Sequence, residues 1–146
     1  MLYTFMLKLS KKELDRELKC NDGYKLSYRL ICFINIIFSI REKFNIIKEQ
    51  DNILCGLKRF YNITKHYYCP RIIFNSLCLP SGEERNVPVF MDISEINKFN
   101  KFNEQTFYIQ EQSRMYDQYI KDKTIKSIVD YVFDKTIELL KNNNYI

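Results

Sequence analysis

One apolar segment, KLSYRLICFINIIFSIREKFNIIK at residues 25–48, constrains the fold most strongly. Between Arg29 and Arg41 its only polar residues are Asn35 and Ser39. Apolar residues recur at spacings of three and four, the period of one helix face. They are Leu26, Leu30, Phe33, Ile34, Ile37, Ile40, Phe44 and Ile47. A helix that is apolar around most of its circumference is normally buried, so we expect residues 25–48 to form a central core helix.

A strand and a membrane span are the two alternatives to a buried helix for this segment. The isoleucines favour a strand by propensity, but the segment is far longer than a usual strand of roughly five or six residues. A membrane span needs roughly 20 predominantly apolar residues, and the run between Arg29 and Arg41 is about half that length. We therefore expect a core helix and no membrane association.

Length and composition favour one domain over residues 1–146. Ile, Lys, Asn, Tyr and Phe make up nearly half of the chain, whereas Ala and Trp are absent. The frequent residues have AT-rich codons, which indicates an AT-rich genome such as that of a large DNA virus or an intracellular parasite. This bias also enriches lysine, so the net charge of +5 is only modest support for an acidic partner.

The cysteines and the first residues predict a reducing compartment. Five cysteines, an odd number, accompany a start, MLYTFMLKLSKK, that has no sustained apolar core before Lys8 and no small-residue cleavage site after it. Thiols in a reducing compartment remain free and pack as small apolar groups. We therefore expect a cytoplasmic protein.

The rest of the chain predicts further helices packed around the central one. Ser10 and Glu13 fit a capping box for a helix over about 11–20. Further helices are expected over about 53–61, 92–101, from Phe107 to Tyr119, and over about 122–141, with loops at 62–70 and 80–88. Residues 71–79 fit either a strand or a short helix. Together these elements predict an all-α, single-domain bundle of five to seven helices, in which loop 80–88 is a candidate partner contact.

Catalytic and cofactor motifs are sparse. The single histidine, His66, excludes mechanisms that need two, and the isolated glycines exclude both standard phosphate-binding loops. Cys55, His66, Cys69 and Cys78 are zinc-ligand types, but only His66 and Cys69 have the close spacing of a zinc-ligand pair. We expect no enzyme activity, metal or cofactor, although a thiolate paired with His66 stays open.

The stretch LKRFYNITKHYYCPR at 57–71, here called the basic–aromatic stretch, is the candidate binding surface. Its site residues are Lys58, Arg59, Tyr61, Lys65, His66, Tyr67, Tyr68 and Arg71. Cations beside aromatic rings can hold single-stranded RNA, but the rings can equally cover the core. The sequence thus predicts a non-enzymatic protein that docks onto a protein partner; the alternative is an RNA-binding or ribosome-associated factor that uses this stretch. The oligomeric state stays open.

Overall fold

The computed structural model describes residues 2–20, 22–46, 50–66, 72–92 and 107–145. Over these residues the chain forms five helices and one small antiparallel hairpin, which confirms the predicted all-α bundle. The helices are α1 (Leu2–Glu17), α2 (Gly23–Lys43), α3 (Asn52–His66), α4 (Phe107–Tyr119) and α5 (Ile125–Asn142). The strands are β1 (Ile73–Cys78) and β2 (Glu84–Val89).

The predicted core helix is α2, which contacts α1, α3 and α5. It begins after Asp22, whose side chain accepts hydrogen bonds from the backbone N–H groups of Tyr24 and Lys25, both at 3.1 Å. It ends before Asn45, which has a positive φ of 57°. Its buried residues are Leu26, Ser27, Leu30, Phe33, Ile34, Ile37, Phe38, Ile40 and Arg41. Because Tyr24 and Tyr28 are exposed, α2 has one broad buried face rather than burial all round.

By length and composition, α2 is also the one helix in the described ranges that could span a membrane. A core helix satisfies the same criterion, and the broad apolar face of α2 is buried against its neighbours. Composition alone therefore does not assign α2 to a membrane.

The predicted start of the first helix is wrong. Ser10 does not cap a helix, because α1 begins at Leu2 and Ser10 lies inside it, 8% exposed. Leu7 and Leu14 are fully buried on the same side of α1. The apolar residues upstream of Ser10 find a packing surface, so the helix continues through a sequence that would otherwise start one.

The predicted loops at 62–70 and 80–88 are also corrected. Helix α3 continues to His66, and Glu84–Val89 forms strand β2, paired with β1 from Ile73↔Val89 to Cys78↔Glu84. The loop shrinks to residues 79–83, where Gly82 has a φ of 84°. Pro88 is tolerated in β2 because a two-stranded sheet consists of edge strands. The helix predicted over 92–101 lies outside the described residues beyond Asp92.

The chain after β2 is fixed to the link between α4 and α5. The N–H of Phe90 donates to Lys123 O, and the N–H of Asp122 donates to Phe90 O, both at 3.0 Å. The Tyr116 hydroxyl donates to Met91 O at 2.7 Å, and its burial raises the pKa of Tyr116 well above its ordinary value. These bonds attach the hairpin to the helical core.

Candidate functional site

The basic–aromatic stretch does not form one exposed surface. Arg59 on α3 is 1% exposed and Tyr61 is 5% exposed, so their prediction as surface residues is wrong. Lys58 is partly exposed and Lys65 is exposed. The side chain of His66 and the whole of Tyr67, Tyr68 and Arg71 lie outside what the structure describes, so their roles stay predictions.

Packing inside the bundle explains the burial of Tyr61. Its ring stacks on Phe38 of α2, with the ring centroids 4.9 Å apart and the planes at 25°. Its hydroxyl donates to Glu42 Oε1 at 3.4 Å, and the Lys65 ammonium lies 5.3 Å from its ring centroid. Tyr61 therefore joins α2 to α3, and its ring is not available to stack on a nucleic-acid base.

The described residues form neither a cluster of metal ligands nor a large cavity. No group of three His, Cys, Asp or Glu residues among them could hold a metal ion. Cys55 is buried in α3 and Cys78 is exposed in β1, while Cys69 lies outside the described residues. A cavity between α2, α3 and the chain after β2 is lined by residues that include Leu30, Phe60 and Phe90, and its volume is about 10 Å³, room for about one water.

The outer face of α1 carries the most prominent apolar surface. Six large hydrophobic side chains are exposed in the described part of the chain, and four of them lie on α1. They are Leu2, Phe5, Met6 and Leu9, with exposed fractions of 67%, 64%, 40% and 44%. Their i, i+3, i+4, i+7 spacing places them along one face, which we call the α1 stripe.

The α1 stripe was not found from the sequence, although the signal was present. The helix predicted over about 11–20 leaves out the residues before Ser10, yet MLYTFMLKLS carries two interleaved apolar patterns. One contains Tyr3 and Leu7, which pack into the core, and the other is the α1 stripe. A helix with apolar side chains on opposite faces is normally covered on both.

Polar contacts fix α1 to the rest of the bundle. Arg29 of α2 donates to Glu13 Oε2 at 2.7 Å, and Thr4 Oγ1 donates to Tyr145 O at 3.3 Å. The Lys11 ammonium lies 2.6 Å from Asp15 Oδ2 and 2.9 Å from Asp130 Oδ1 of α5. The α1 stripe is therefore presented by a helix that is fixed at both ends.

The Lys11–Asp130 pair makes the α1–α5 contact dependent on pH. Burial acts to lower the pKa of Lys11, but hydrogen bonds and charges from Asp130 and Asp15 outweigh it, so this pKa is raised. Burial acts to raise the pKa of Asp130, but hydrogen bonds from Lys11 and Lys126 outweigh it, so this pKa is lowered. Stabilisation by Lys11 is thus present below its ordinary pKa and lost at alkaline pH, as the pH rises through the raised value.

Replacing Asp130 with Asn is expected to lower the free energy of unfolding by about 1 kcal/mol at neutral pH. The pKa of Asp130 is lowered in the folded state, so its stabilisation is present above the ordinary value of 3.8 and is lost as the pH falls through the lowered value. The difference between wild type and Asp130→Asn should therefore shrink in acid. Urea unfolding of both proteins at neutral and at acidic pH measures this difference in the free energy of unfolding.

The matched control is Asp134→Asn, which removes an exposed carboxylate from the same helix. It is expected to change the free energy of unfolding by less than about 0.5 kcal/mol. A difference for Asp130→Asn that stays constant into acid would contradict the assignment of the stabilisation to the ion pair.

Comparisons with other proteins identify no relative. No family model matches the chain, and neither characterised proteins nor solved structures are significantly similar to it. The class defined by the fold is a predominantly helical bundle with a small two-stranded sheet.

Proposed function

We propose that the protein is a non-enzymatic docking protein that binds a protein partner through the α1 stripe. The observation that carries the proposal is the contiguous exposure of Leu2, Phe5, Met6 and Leu9 on one helix face. Single exposed apolar residues are ordinary, but a continuous apolar face is typical of an interaction site.

The spacing and rigidity of the α1 stripe support this proposal. Anchors at i, i+3, i+4 and i+7 are the pattern by which a helix presents its apolar face to a partner. Leu7 and Leu14 fix the opposite face of α1 in the core, so little conformational entropy is lost when the outer face binds. Aromatic and large apolar anchors such as Phe5 carry most of the binding energy at interfaces of this kind.

The RNA-binding alternative gains no support from the described residues. Arg59 and Tyr61, two of the residues predicted to contact RNA, are buried. RNA contact by Lys58 and Lys65 stays a prediction. A complex with RNA would be lost on nuclease treatment and would weaken strongly as salt rises, whereas a complex with a protein partner would survive nuclease.

The double variant Phe5→Glu/Leu9→Glu is expected to weaken binding of a protein partner at least roughly 30-fold, because it places carboxylates at two of the four anchors of the α1 stripe. Affinity purification from the native cell with nuclease treatment identifies partners. Titration of each purified partner with wild-type protein and with the variant then measures the loss.

Tyr24→Glu is the matched control, since Tyr24 is an exposed aromatic residue on α2 outside the α1 stripe, 80% exposed. It should bind partners as the wild type does. The double variant should unfold within about 0.5 kcal/mol of the wild type, because its sites are on the surface. Partners that bind the double variant with unchanged affinity would refute docking through the α1 stripe.

A further inference from the structure

We infer that the partner presents an acidic amphipathic helix, whose apolar seam packs on the α1 stripe and whose carboxylates meet Lys8 and Lys12. This inference rests on the proposed function and adds the chemistry of the partner.

The shape of the α1 stripe is complementary to a helix. Its four side chains cover positions 2–9, a length of about 10 Å along the axis at 1.5 Å per residue. An apolar seam that repeats every three or four residues on a second helix interdigitates with such a face.

The charges beside the α1 stripe determine which helix fits. Residues 1–12 contain no Asp or Glu. Lys8 and Lys12 are exposed, and each follows an anchor, Phe5 or Leu9, by three residues, which places it next to that anchor on the helix surface. On the other edge, Glu13 is bonded to Arg29 at 2.7 Å. The rim of the α1 stripe is therefore positive and favours a partner with carboxylates at its flanks.

A second copy of the chain and an anionic membrane are less complementary to the α1 stripe than an acidic helix is. A second copy of the chain would bring one positive rim against another, and like charges oppose association. An anionic membrane would attract Lys8 and Lys12, but two cations and a two-turn apolar face give only weak adsorption. An apolar seam flanked by carboxylates matches both the apolar face of the α1 stripe and its positive rim.

The test uses two synthetic peptides of about 20 residues, long enough to form a helix, that share one leucine seam. One peptide has Glu at the flanking positions and the other has Lys. Fluorescence anisotropy should show that the Glu peptide binds the protein roughly tenfold more tightly than the Lys peptide, with the difference falling as salt rises. Lys8→Glu/Lys12→Glu should reverse this preference.

The charge control is Lys25→Glu/Lys141→Glu, which makes the same change in net charge at two exposed lysines on α2 and α5. It should keep the preference for the Glu peptide. Phe5→Glu should abolish binding of both peptides.

Several outcomes would overturn the inference. Equal affinity for both peptides, or no binding of either, would refute the acidic helix, while loss of native partners with Phe5→Glu/Leu9→Glu would still uphold docking. Tighter binding to phosphatidylserine vesicles than to the Glu peptide would assign the surface to a membrane. Dimerisation that Phe5→Glu abolishes, measured by analytical ultracentrifugation, would assign it to a second copy.

Discussion

Replacing Gly56 with alanine is expected to lower the free energy of unfolding by about 2 kcal/mol, although alanine is the better helix former by about 1 kcal/mol. A Cβ atom at Gly56 would lie 2.8 Å from the backbone nitrogen of Tyr116 and 2.9 Å from the carbonyl carbon of Met115. These are backbone atoms of α4, which cannot rotate away as a side chain could. Helices α3 and α4 would have to separate, and their shared packing would loosen.

A larger residue extends the same prediction. Gly56→Leu should prevent α3 and α4 from packing at all, because the whole side chain would have to occupy space taken by the α4 backbone. Circular dichroism and urea unfolding of both variants measure the effect. We expect the wild type to be the most stable, Gly56→Ala to be less stable and Gly56→Leu to be the least stable.

Gly23→Ala provides the matched control for Gly56→Ala. A Cβ at Gly23 would meet only the side chain of Phe74, at an ordinary contact distance of 3.6 Å. Gly23 is also the first residue of α2, so alanine there should leave stability unchanged or raise it by up to about 1 kcal/mol. If Gly56→Ala were as stable as Gly23→Ala, the close approach of α3 to α4 would be refuted.

The sequence predicted those parts of the fold whose signal is local and periodic. The apolar period that predicts α5 runs through Ile125, Ile128, Val129, Val132, Phe133, Ile137 and Leu140. Five of these residues are buried, whereas Phe133 and Ile137 are partly buried against the core. The predicted helix over about 122–141 matches Ile125–Asn142, because its apolar period is uninterrupted and Thr124 caps its start. The core helix was predicted for the same reason. Its end was placed too late because Phe44 and Ile47 continue the apolar period past Asn45, a residue type that favours the positive φ it has in the structure.

Features that depend on distant contacts were not predictable in this way. By propensity alone a glycine inside a helix such as α3 is unfavourable, and the close approach of the α4 backbone to Gly56 has no local signal in the sequence. The capping pattern at Ser10 was overridden by packing of Leu7 and Leu14. The β1–β2 pairing was hidden because Pro88 and the charged residues around it are typical of a loop. Arg59 was likewise predicted at the surface because arginine is usually exposed, but it is buried in the structure.

The burial of Arg59 leads to the second large prediction. Arg59→Glu is expected to lower the free energy of unfolding by about 3–5 kcal/mol, because a carboxylate would replace a guanidinium at a site 1% exposed. Arg59→Lys should also destabilise the protein, since a compact ammonium does not reproduce the planar guanidinium. Urea unfolding of both variants measures these losses.

Lys65→Glu is the control for Arg59→Glu, because it reverses a charge on the same helix at an exposed position. Lys65 is exposed and interacts with the Tyr61 side chain and the charge of Glu42, so this change should destabilise the protein far less than Arg59→Glu does. Equal stability of Arg59→Glu and Lys65→Glu would show that Arg59 reaches solvent, and it would return Arg59 to the set of residues available to RNA.

This contrast decides how RNA binding by α3 can be tested. A combined reversal of Lys58, Arg59, Lys65 and Arg71 would destabilise the protein through the buried Arg59, so a loss of RNA binding could not be separated from a loss of folded protein. Reversal of Lys58 and Lys65 with Arg59 kept leaves the core intact. If that variant still binds RNA with the wild-type dependence on salt, the described part of the basic–aromatic stretch does not make the phosphate contacts.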